Sequence, residues 1–84
     1  MVGFQQYARF ERVDDAANAA RFYTLAWQPD LWGDVALVRS WGRIGSQGSR
    51  RLEGSYPDRQ SAQALAERLI RRRLKRRYAL IDWT

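Results

Sequence analysis

Residues 39–45, Arg39-Ser40-Trp41-Gly42-Arg43-Ile44-Gly45, set a large aromatic face between two guanidinium groups and end in a backbone that two glycines free to turn. Guanidinium forks bind phosphate or carboxylate oxygens in pairs, and an indole face stacks on sugars, bases or other rings. A tryptophan flanked in this way cannot lie deep in a dry core without desolvating its charged neighbours. The stretch reads either as a partly exposed recognition edge or as a core tryptophan between solvated arginines.

A second concentration of chemistry lies further along. Arg68, Arg71, Arg72, Arg73, Lys75, Arg76 and Arg77 put seven basic groups and no acid into residues 68–77. The rest of the chain holds eight basic and nine acidic groups, so the formal net charge of +6 resides in that one segment. One or two cations would satisfy a helix dipole. Seven exceed that need and point to a polyanion such as nucleic acid; a solvated helix face is the alternative. The basic residues are fourteen arginines and one lysine. That bias suits bidentate phosphate binding, though a GC-rich genome also produces it.

Catalytic chemistry finds few candidates. The chain has no histidine and no cysteine, which removes the commonest general base, thiolate ligands and disulfides. The nine acids are scattered, and Asp14-Asp15 reads as a solvated loop pair. No acid–base pair and no cluster of metal ligands is visible, so a non-enzyme without cofactor or metal is expected. There is no apolar run of membrane-spanning length and no basic-then-apolar leader, which makes a cytoplasmic protein without a membrane partner the expectation.

The elements that must position these residues follow from periodicity and punctuation. At 84 residues, with eleven aromatics to help fill a small core, the chain is expected to be one domain over 1–84. Phe4 to Val13 reads as a first strand, Asp14 to Ala20 as a connection, and the aromatic-rich Arg21 to Trp27 as a second strand. Gln28-Pro29-Asp30 and Trp32-Gly33-Asp34 make a turn, and Val35 to Trp41 returns as the third strand. Alternation sets Val35, Leu37, Arg39 and Trp41 on one face, and Ala36, Val38 and Ser40 on the other. Residues 45–49 read as a loop and Arg50 to Tyr56 as a fourth strand.

Asp58 is the expected N-cap of a long helix, with Ser61 in competition. Ala62, Leu65, Ala66 and Leu69 share a stripe flanked by Ile70, and Arg73 projects along it. Arg68, Arg71, Arg72 and Arg76 spread over the remaining surface. Tyr78 to Trp83 fits a short terminal strand or a segment over the core. Phe22, Tyr23 and Leu25 are read as core, and Trp27, Trp32 and Trp83 as core or stapling residues. The expected class is α+β: a small antiparallel sheet of about four to five strands packed against one long C-terminal helix.

With Arg39-Ser40 before it and Ile44-Gly45 after it, Trp41-Gly42-Arg43 resembles the signature of the WGR domain. That module occurs in DNA-dependent poly(ADP-ribose) polymerases and in small or multidomain bacterial proteins. Asn18 followed by Phe22-Tyr23-Thr24-Leu25 is similar to the family's aromatic-Tyr-x-Leu strand. Gly48 resembles the second glycine of its loop, and Ala62, Leu69 and Arg73 resemble the Ala, apolar and basic positions of its single helix. The likeness covers practically the whole chain. Two positions depart from it: Ser49 stands where many relatives have Gln, and Arg77 precedes Tyr78 where bacterial relatives often have Gly.

The resemblance implies a non-catalytic nucleic-acid-binding module that grips DNA near a break. Carried over by position, Trp41 would pack on a terminal sugar or base face, Arg43 would bind phosphate or a neighbouring domain, and Arg39 would support either role. The expected interface is Arg39, Trp41, Gly42 and Arg43 for placement, with Arg68, Arg71, Arg72, Arg73, Lys75 and Arg76 for backbone attraction. The expected partner is DNA, ends or nicks favoured. A protein-interaction adapter using the same Trp/Arg edge is the rival, and single-stranded RNA a third reading.

Overall fold

A computed structural model describes residues 6–46 and 48–84. The expected beginning of the first strand at Phe4, and Gln47 in the loop, lie outside the described residues. Strand β1 runs Tyr7–Asp14, β2 Ala19–Pro29, β3 Val35–Arg43 and β4 Ser49–Tyr56, followed by helix α1 Arg59–Lys75 and strand β5 Ala79–Trp83. The sheet has the order β4-β3-β2-β1-β5, antiparallel throughout. The α+β expectation of one sheet and one long helix holds, and the terminal segment resolves as a strand.

Each turn has a local cause. Between β1 and β2, the Asp14 carboxylate accepts from the Ala17 N–H and Asn18 takes a left-handed φ of 50°, a conformation asparagine tolerates better than most residues. Between β2 and β3, Asp30 Oδ1 accepts from the backbone N–H of Trp32 at 2.8 Å and of Asp34 at 2.9 Å. Between β3 and β4, the Ser46 N–H returns to the Arg43 carbonyl, with Gly45 at φ 84° in the third position of the turn. A turn of that form needs positive φ there, hence glycine. The Asp58 side chain caps α1 by accepting from the Ser61 N–H at 2.8 Å, so the cap is Asp58 and Ser61 is its partner.

The core lies between the sheet and α1. Phe10 and Leu25 are fully buried, and Ala8, Tyr23, Trp27 and Leu37 join them beneath Ala62, Ala66, Leu69 and Ile70 of the helix. The two helical alanines let α1 approach the strands closely, while Leu69 and Ile70 fill the space towards its end. Three sequence expectations are corrected. Phe22, next to Tyr23 on β2, faces the opposite side of the sheet, where the Arg9 guanidinium lies 4.8 Å from its ring centre. Trp32 is 86% exposed and Trp83 50% exposed, so neither is a core residue. Trp27 is core.

Candidate functional site

Trp41 stands on β3 directly opposite Tyr23 of β2 and Arg50 of β4. Cross-strand pairing brings the Trp41 and Tyr23 rings into a stack, 6.3 Å between centres and 25° between planes. Trp41 is half-buried against the core, as is Arg39 two residues earlier on the same face. The tryptophan is therefore neither a free surface ring nor a sealed core residue. It is fixed on one flank and accessible in part. Gly42 is glycine for a steric reason: an added Cβ would come within 3.2 Å of the Gly48 carbonyl oxygen, 3.3 Å of the Phe22 ring and 3.4 Å of Ser49 Cα. Two of these three neighbours are backbone, which has little room to yield.

The end of β3 borders a cleft of about 240 Å³ lined by Asn18, Ala19, Ala20, Arg21, Phe22, Gly42, Arg43 and Tyr78. Arg21 pairs with Arg43 across β2 and β3, so two guanidinium-bearing positions meet at its mouth. The Ile44 N–H donates to the Ala20 carbonyl at 2.8 Å and holds the turn against the cleft. Sequence reading named Arg43 as a phosphate contact but gave no binding role to Arg21 or Tyr78. Register carries the signal for Arg21. Tyr78 reaches the cleft only because the chain reverses after α1.

On α1, Arg68, Arg71, Arg72, Lys75 and Arg76 recur at intervals of three and four and form one exposed face lining one shallow groove. They form a contiguous ladder, narrower than the spread over the remaining helix surface that sequence reading gave for Arg68, Arg71, Arg72 and Arg76. The three ion pairs among the described residues are Arg9–Glu11, Arg12–Asp14 and Arg51–Glu53, so none neutralises this ladder. Arg73 turns the other way: it is half-buried, with its guanidinium carbon 4.2 Å from the Tyr23 ring centre and 5.4 Å from that of Tyr78. The helix ends at Arg76, and the next residue, Arg77, takes a left-handed φ of 68°. The Tyr78 N–H then donates to the Arg73 carbonyl and the Arg77 N–H to Leu74, which closes the helix end.

Electrostatics follow the same geometry. Burial pushes the Tyr23 hydroxyl above the ordinary tyrosine range, while the charges of Arg39, Arg73 and Arg72 pull it back in part. Arg39 approaches the hydroxyl without a well-formed hydrogen bond. Asp30 is held below the usual carboxylate range by the Trp32 and Asp34 N–H groups and the Ser55 hydroxyl, against a smaller opposing effect of burial. Trp41 and Arg73 therefore meet at the Tyr23 ring, with Arg39 beside them on β3, while Arg72 acts on Tyr23 only through its charge. Arg43 sits in the adjoining cleft that shares Tyr78 with Arg73, and Arg68, Arg71, Lys75 and Arg76 continue outward along α1.

Among the described residues, no group of three or more His, Cys, Asp or Glu is placed to hold a metal, and no helix is long and apolar enough to cross a membrane. In comparison with known proteins, the family model described as WGR domain matches residues 6–82. The uncharacterized protein y4dW of Sinorhizobium fredii is 38% identical over 68 residues, which is 81% of this chain and 33% of the relative. The match thus spans about a third of that relative's length. No solved structure matches the chain significantly.

Proposed function

Since the chain belongs to the WGR domain family, a family of nucleic-acid-binding modules, we propose that it binds DNA, favouring ends and nicks, through phosphate contacts and aromatic stacking. The observation that carries this reading is the meeting at Tyr23: Trp41 stacks on it from β3, and Arg73 reaches it from the end of α1. On this reading the aromatic edge and the basic face of α1 act together.

The two parts have different work. The ladder of Arg68, Arg71, Arg72, Lys75 and Arg76 attracts the phosphate backbone of any duplex, with the salt dependence that counterion release imposes. Arg39, Trp41 and Arg43 supply placement. Inside a duplex the base faces are covered by their neighbours, whereas an end or nick uncovers a sugar and a base on which a half-buried indole lies without unstacking anything. Arg43, beside Arg21 at the cleft, takes the terminal phosphate, and Gly42 keeps the backbone close enough to β4 for that geometry to persist.

Titration of a 5′-phosphorylated linear duplex against a closed circle, at two salt concentrations, tests both parts. Arg71/Arg72→Ala weakens binding to both forms and flattens the slope of log affinity against log salt by about 0.9 for each phosphate that is no longer neutralised. Trp41→Ala and Arg43→Ala erase the preference for ends. Equal affinity of the wild type for circle and linear duplex removes the end-binding claim.

A protein-adapter reading draws on a different observation. Leu31 and Trp32, 93% and 86% exposed, project from the turn that Asp30 braces. Exposed tryptophan is a frequent anchor of protein interfaces. A complex that tolerates high salt and is lost in Trp32→Ala would favour this reading over DNA.

A further inference from the structure

The described residues contain three buried side-chain polar atoms without a hydrogen-bond partner, and two of them, the Tyr23 hydroxyl and Arg73 Nε, belong to side chains in contact, the Arg73 guanidinium lying 4.2 Å from the Tyr23 ring centre. Tyr23 is 3% exposed, so water does not satisfy its hydroxyl freely. An unmade hydrogen bond at a buried donor costs free energy, and native proteins rarely leave two such groups side by side. The charge balance is as unusual as the hydrogen bonding. Arg39 and Arg72 act on the same hydroxyl from β3 and α1, yet Arg39, Arg72 and Arg73 join none of the ion pairs among the described residues. Arg73 lies against the Tyr23 ring and the charges of Arg39 and Arg72 act on its buried hydroxyl, with no counter-ion among the described ion pairs.

We propose that the Tyr23 hydroxyl and the guanidinium groups of Arg39, Arg72 and Arg73 form a phosphate pocket that receives one phosphate group of the bound nucleic acid. The proposal rests on the nucleic-acid reading above and adds Tyr23 to its direct contacts. A tetrahedral oxyanion supplies acceptors in several directions at once, which matches donors arriving from β2, β3 and α1. A planar carboxylate would leave one of the three sides unpaired. Arg72 is exposed and Arg39 half-exposed, so arginine side chains form the cover of the pocket, with the hydroxyl at its floor. The Trp41 ring, stacked on Tyr23, forms one wall and lies where the sugar attached to that phosphate would pass.

Inorganic phosphate is the probe, compared with chloride at equal ionic strength, with thermal unfolding and amide chemical shifts as readouts. Phosphate is expected to raise the wild-type unfolding temperature saturably, as a ligand of the folded state does. Tyr23→Phe removes only the unpaired hydroxyl and is expected to fold, yet to bind phosphate about tenfold more weakly or worse, the usual loss of a hydrogen bond to a charged group. Arg39→Gln carries the same expectation from a half-exposed position, should Tyr23→Phe disturb the core. Arg51→Gln, at a residue paired with Glu53, keeps the wild-type phosphate response. Equal phosphate binding by wild type, Tyr23→Phe and Arg39→Gln overturns the pocket, even if the wild type still binds duplex DNA and the nucleic-acid reading stands. Pocket-dependent phosphate binding without any duplex binding leaves an anion site but overturns its assignment to nucleic acid.

Discussion

At the scale of single residues, the backbone of Arg77 is the clearest departure from local preference. A left-handed φ sets the Cβ of an ordinary residue against its own carbonyl, at a cost of roughly 1–2 kcal/mol. Glycine avoids that cost and is the commonest residue at this position of a helix end. Arg77→Gly is therefore expected to stabilise the fold by about 1 kcal/mol, or roughly 4–8 °C in unfolding temperature for a chain of this size. Arg77→Ala removes the same charge but keeps the Cβ, so it gives no comparable gain in the same melt. Gly42→Ala has the opposite sign, because the added carbon meets the Gly48 carbonyl and Ser49 Cα. It is expected to cost about 1–3 kcal/mol, the range for overpacking, read by urea unfolding. Arg39 and Trp41 were legible in the sequence because strand alternation fixes which residues share a face. Phe22 was not, since its aromatic neighbour Tyr23 claims the core and a period of two forces Phe22 to the other side. Trp32 reads like any core tryptophan until the two N–H bonds to Asp30 are seen to hold its turn out in solvent.

At the scale of elements, α1 serves two masters. Its buried stripe of Ala62, Ala66, Leu69 and Ile70 fastens it to the sheet, and its exposed ladder carries the charge. Leu69→Ala is expected to cost about 2–5 kcal/mol by cavity formation, whereas changes along the ladder move stability little. Denaturant unfolding of Leu69→Ala and Arg71→Ala side by side measures that separation. The helix stripe was readable from its 3.6-residue period, and so was Arg73 within it. The ladder's contiguity was not read, because counting charges in a segment ignores the angle at which each leaves the axis. The meander β1 to β4 was readable from its turn residues. The place of β5 beside β1 was not, because nothing in the local pattern of residues 79–83 names a partner strand.

At the scale of the whole molecule, the absence of histidine and cysteine leaves no ordinary side chain titrating between about pH 6 and 9, so stability is expected to be level there. Both limits of that plateau have named contributors. Asp30 titrates lower in the folded chain than in the unfolded one, so its contribution is present above about pH 3.9 and is lost as pH falls through the lower folded value. Tyr23 titrates higher in the folded chain, so its contribution is full below about pH 10 and is lost as pH rises through the higher folded value. Denaturant midpoints across the pH range, with tyrosinate absorbance on the alkaline side, check both limbs. The Tyr23 hydroxyl should ionise together with unfolding. The pairing of the first strand with the last has a consequence in time. Neighbouring strands of the meander meet through short turns, but β1 finds β5 across 68 to 75 positions of chain, with α1 in between. Closure entropy makes such a contact late. Until β5 arrives, β1 is an open edge, so the chain spends its folding with an unpaired strand that a second copy could take.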